Sequence, residues 1–67
     1  MRVMRSLTKY LKAKRITQVE LARRMEVSQP TVWAWLHGRK TPSAENLIKL
    51  ADLTGLTVDA LLDRKAA

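Results

Sequence analysis

Thr17-Gln18-Val19-Glu20-Leu21-Ala22-Arg23-Arg24-Met25-Glu26-Val27-Ser28-Gln29-Pro30-Thr31-Val32-Trp33-Ala34-Trp35-Leu36-His37-Gly38 is the stretch that decides the fold of this chain. Thr17 reads as a helix N-cap, because its hydroxyl can accept from a backbone N–H of the first turn. Glu20, three residues on, completes a capping-box spacing. Leu21, Ala22 and Met25 share one helical face, so this helix is expected to run to about Met25. Only Glu26-Val27 separates it from Ser28, which caps the next helix. Pro30 follows in the first turn, where the N–H it lacks has no intrahelical partner anyway. Gly38 is placed to stop that helix as a C-cap.

Two helices joined by so short a corner must cross steeply and touch near it. Close approach needs a small residue, and Ala22 supplies one. Leu21, Met25, Val27, Val32 and Trp35 are expected to fill the wedge between the pair, with part of Leu36. The opposite face of the later helix is thereby turned outward. It carries Gln29, Pro30, Trp33, Ala34 and His37.

The same punctuation extends both ways from this unit. Ser6 is positioned to cap a first helix of roughly residues 6–14, with Leu7, Tyr10 and Leu11 on its apolar face. Arg39-Lys40-Thr41-Pro42 reads as a loop. Ser43 or Thr41 then caps a fourth helix, with Leu47, Leu50 and Ala51 inward and Gly55 at its end. Thr57 caps a short fifth helix with Val58, Leu61 and Leu62 inward, and residues 63–67 are expected to fray. Strand-like alternation is missing. The pattern predicts one all-α domain over residues 1–67, five short helices around a core of residues 6–62, with the two-helix unit at 17–38.

Charge is distributed unevenly. The net charge is +7, yet residues 1–42 hold ten Lys/Arg against two Glu, while residues 43–67 hold three against four Asp/Glu. A basic field over the first two thirds of the chain attracts polyanions. The single His, the lack of Cys and the lack of a Gly-rich phosphate loop or closely spaced carboxylate pair argue against an enzyme. No metal, no cofactor and no small-molecule ligand is expected. No apolar run approaches the ~18 residues of a bilayer span. Residues 1–5 lack the apolar stretch of a signal peptide, and the absence of Cys points to a cytoplasmic setting. The caps and stops at Ser28, Gly38, Ser43 and Gly55 also break up any single long amphipathic helix that could lie on a membrane.

Gln18 to Met25, followed by Val27-Ser28-Gln29-Pro30-Thr31-Val32, Trp35 and Gly38, resembles the Cro/CI (XRE-type) helix-turn-helix family of phage and bacterial repressors. The similarity continues through Thr41-Pro42-Ser43, Leu47, Ala51, Gly55 and Leu61-Leu62, and so covers roughly residues 7–62. It implies a compact five-helix, lambda-repressor-like domain whose third helix enters the major groove of double-stranded DNA, usually in a homodimer on a palindromic operator. Three positions depart from the family pattern. Glu26 stands where Gly is usual, and a positive φ there would cost roughly 1 kcal/mol. Trp33 and Leu36 stand where polar residues are usual, which leaves groove contact, a partner surface and burial open for both. Leu11 replaces a frequent Arg, so an ion pair of some relatives is expected to be missing.

Gln29 is the leading candidate for direct readout, since a Gln amide can donate to adenine N7 and accept from its N6 amino group together. Pro30, Thr31 and Ala34 lie on the same side and can offer apolar atoms to thymine methyls. Trp33 is a further base-contacting candidate. The resemblance implies a phosphate contact for Gln18, at a helix start where free N–H groups and the dipole favour an anion. Thr17 and Ser28 at the two caps, and Arg39 and Lys40 on the following loop, complete the phosphate-contacting set. Of Lys9, Lys12, Lys14, Arg15, Arg23 and Arg24 about half are expected to touch DNA, because a charged helix face is ordinarily just solvated. His37 reads as a surface or C-capping group. The expected function is a Cro-like repressor. The alternative is a DNA-binding antitoxin or adaptor that holds a protein partner through Trp33, Leu36 and the Leu56/Leu61/Leu62 end.

Overall fold

The computed structural model describes residues 4–63. Its helices are α1 (Arg5–Lys14), α2 (Gln18–Met25), α3 (Gln29–Leu36), α4 (Ala44–Thr54) and α5 (Val58–Leu61). Four of them begin at a hydroxyl that accepts a backbone N–H three residues on. Thr17 accepts from Glu20 at 3.1 Å, Ser28 from Thr31 at 3.3 Å, Ser43 from Asn46 at 3.2 Å and Thr57 from Ala60 at 3.0 Å. Ser43, not Thr41, therefore starts α4. The Thr17 box is used only in part. The Glu20 carboxylate turns to Arg23 Nη1 and Arg24 Nη2, each at 3.5 Å.

α1 departs from expectation. Ser6 lies inside the helix, and Met4, in the left-handed region at φ 48°, occupies the N-cap without a side-chain bond. The anion at this helix start comes from the far end of the chain. The Asp63 carboxylate accepts from the Arg5 N–H at 3.1 and 3.2 Å, across 58 residues of sequence. A carboxylate at a helix N-terminus also meets the positive end of the dipole. Asp63, expected to fray, is thus tied to α1, while residues 64–67 lie outside the described residues.

α1 and α2 end alike. Arg15 and Glu26 take φ 57° and 59°, and each helix closes with a paired 5→2 and 6→1 bond. In α2 these are Glu26 N–H to the Arg23 carbonyl at 3.2 Å and Val27 N–H to the Ala22 carbonyl at 3.0 Å. The motif reverses the chain sharply, so two intervening residues suffice between α2 and the Ser28 cap. The left-handed region costs an L residue roughly 1–2 kcal/mol, and glycine loses part of that advantage through its freer unfolded chain. Glu26→Gly should therefore stabilise the domain by about 0.5–1 kcal/mol and raise Tm by several degrees, read by thermal circular dichroism. An unchanged or lower Tm would show that the Glu26 backbone carries no strain.

The core is apolar throughout. Leu7, Leu21, Val32, Leu50 and Leu61 are fully buried, joined by Met4, Leu11, Ala22, Met25, Trp35, Leu47 and Leu62. Tyr10, Val27, Ala51 and Val58 pack against this cluster from partly exposed positions. α2 lies against α3 and α4, α1 against α3 and α5, and α4 against α5. Ala22 is 4% exposed at the α2–α3 approach, as a small residue at a close crossing requires. Two buried positions escaped the periodicity. Met4 precedes α1, and the buried Pro42 sits in the loop after α3. Leu61 and Leu62 are core residues, so they cannot form the partner surface that the antitoxin reading supposed.

Candidate nucleic-acid interface

α3 is unusual among these helices in being apolar nearly all round. Its inner side packs Val32 and Trp35 into the core. On its other side Gln29, Pro30, Trp33 and His37 are exposed, with Thr31 and Ala34 half-buried between. An apolar helix face left in water invites a partner. The contrast between two residues of one kind is sharp: Trp35 is 2% exposed and Trp33, two positions earlier, 41%.

Gln29 is not isolated on this face. Its Nε2 donates to Gln18 Oε1 at 3.0 Å, linking the first turns of α2 and α3. One amide hydrogen of Gln29 is used in that bond. Its second hydrogen and its carbonyl oxygen stay available, which is the donor–acceptor pair that adenine requires. Gln18 accepts through its oxygen and so turns its own NH2 away from Gln29, free to donate to an anion.

The caps sit beside this pair. Thr17 uses an oxygen lone pair for Glu20 N–H, and its hydroxyl hydrogen remains available. Ser28 and Thr31 share a hydroxyl–hydroxyl bond of 2.7 Å, which uses one of their two hydrogens. At the other end of α3, the backbone N–H groups of Arg39 and Lys40 converge on the Ala34 carbonyl at 2.8 and 3.3 Å. That anchors the loop, from which both cationic side chains extend into solvent. Donors thus stand at both ends of an outward helix. Lys9, Lys12, Lys14 and Arg15 are also exposed, whereas Arg23 and Arg24 are partly neutralised by Glu20.

A helix-turn-helix family model matches residues 7–61, most of the chain. The chain belongs to the XRE-type, Cro/CI-like helix-turn-helix family. No curated protein and no solved structure matches it. As a helix-turn-helix protein it is a DNA-binding regulator, of a family that is generally non-enzymatic. α2 and α3 are the two helices of the motif, with Glu26 and Val27 in its turn. Among the described residues, no group of His, Cys, Asp and Glu could hold a metal ion, and no helix is long and apolar enough to cross a membrane.

Two positions left open by the sequence are placed by this helix-turn-helix. Leu36 is partly buried against the core and lines, with Leu11, the groove between α1 and α3. Trp33 instead stays on the outward face and stacks on His37, ring centroids 4.2 Å apart and planes 19° from parallel. His37 is the C-cap of α3, and its Nδ1 lies 2.9 Å from the Trp33 carbonyl oxygen. A carbonyl oxygen can only accept, so Nδ1 carries the proton in this bond.

Proposed function

We propose that this chain is a sequence-specific transcriptional repressor of the Cro sort, acting as a single domain and binding a palindromic operator as a homodimer. α3 lies in the major groove, with Gln29, Pro30, Thr31, Trp33 and Ala34 toward the bases. Thr17, Gln18, Ser28, Arg39 and Lys40 hold phosphates. The observation that carries this reading is the Gln18–Gln29 bond, which joins a group suited to phosphate to one suited to adenine. Repression is then steric, by occupation of an operator that overlaps a promoter.

Selection of bound sites from random duplexes tests specificity and symmetry together. The expected result is a palindrome whose half-sites lie about one helical turn apart, centre to centre. With about six phosphates neutralised, log Kd against log salt concentration should have a slope of magnitude near 5. Recovery of no preferred sequence would count against the repressor. It would favour an adaptor that holds a protein partner, for which Val19 and Ile48, 56% and 58% exposed, offer apolar surface.

A further inference from the structure

We infer that Trp33 reads the C5-methyl group of a thymine next to the base pair read by Gln29, and that His37 is the positioning residue that holds its indole ready. The inference rests on the groove placement of α3 proposed above and assigns a specificity determinant within it.

Residues 29, 33 and 37 follow one another at i, i+4 and i+8 along the outward side of α3. Trp33 is therefore one helical turn beyond Gln29. A turn advances about 5.4 Å, or roughly one and a half base-pair steps of about 3.4 Å. What Gln29 does at one pair, Trp33 is placed to do at the next. An indole presents apolar surface, and the distinctive apolar group of the major groove is the thymine methyl.

The indole is not left to find its rotamer on arrival. Side chains on a helix lean toward its N-terminus, so His37 leans back over Trp33. Two independent contacts fix the imidazole: the stack at 4.2 Å and the Nδ1 bond to the carbonyl of the very residue it covers. One face of the indole is then closed, and the remaining exposed part of the residue faces solvent. Immobilising the ring in the free protein removes an ordering cost from the binding step.

Replacement of thymidine by deoxyuridine deletes only that methyl. Each thymine of the selected operator is replaced in turn, and Kd is measured by fluorescence anisotropy for the wild type and for W33A, H37A, H37F and Q29A. One thymine, a step from the adenine lost to Q29A, should show about a fourfold penalty in the wild type, the worth of one buried methyl-sized group. In W33A that penalty should vanish. H37A should bind roughly threefold more weakly and show a reduced penalty, as expected for a loosened side chain. H37F, which retains a stacking ring, should restore both.

Equal uracil penalties in the wild type and W33A would overturn the inference. So would weaker binding of W33A on every sequence alike, the signature of a contact to a second protein copy. H37A indistinguishable from the wild type would remove the positioning role. These failures are separable from failure of the repressor reading. If Q29A still loses discrimination while the uracil scan is flat across Trp33 variants, only Trp33 is misassigned. If Q29A loses no discrimination, the groove placement itself fails.

Discussion

Trp35→Ala is expected to leave the domain largely unfolded at room temperature. A chain of this length has a total stability of about 3–10 kcal/mol at the usual 0.05–0.15 kcal/mol per residue. Truncating a buried Trp costs about 3–5 kcal/mol, most of it from the cavity that neighbours cannot refill. Trp35 is almost wholly enclosed and joins α3 to the cluster that holds α2 and α1 together. Chemical denaturation followed by circular dichroism should show no folded baseline, or a midpoint close to zero denaturant. W33A is the control. It removes the same side chain from the outward face and should melt within a few degrees of the wild type. A cooperative transition for Trp35→Ala near the wild-type midpoint would refute the packing of α3 described here.

Gln29→Ala should weaken binding to the selected operator by about 1–3 kcal/mol, roughly five- to 150-fold, and relax preference at one base pair. The fold should be unaffected, since Gln29 is exposed and its one side-chain bond runs to the half-buried amide of Gln18. Lys40→Ala supplies the contrast. It should weaken specific and random duplexes alike and reduce the salt slope by about one phosphate's worth. Equal loss on both kinds of DNA for Gln29→Ala would instead assign that residue to the backbone. Gln18→Ala should resemble a blend of the two, because it removes the proposed phosphate donor and also frees the Gln29 amide to rotate.

The local rules were legible from residue order. Thr17, Ser28, Ser43 and Thr57 cap helices because a hydroxyl before an apolar-periodic run has a single good use there. The short turn at Glu26-Val27 forces the α2–α3 corner, which in turn separates Trp35 from Trp33. Glu26 occupies the turn site where the family usually has Gly, and its φ of 59° is the left-handed conformation that such a site demands. These features depend on residues within a few positions of one another, and periodicity records such distances well.

Other features depend on residues brought together only by the packed chain. Ser6 is a competent cap that goes unused, because the Asp63 carboxylate arrives from 58 residues away and α1 starts at Arg5. Met4 and Pro42 are buried from positions outside any helix, where no period can flag them. The choice of Leu36 for the α1 groove and Trp33 for solvent turns on how α1 lies across α3. The Gln18–Gln29 bond likewise needs the crossing geometry of two helix starts, not merely their residue types. Helix type, caps and inward faces thus follow from sequence order, since near-neighbour hydrogen bonding and hydrophobic period govern them. Which chain end completes α1, and which exposed groups stand side by side, is settled only when burial of the shared core holds distant segments in contact.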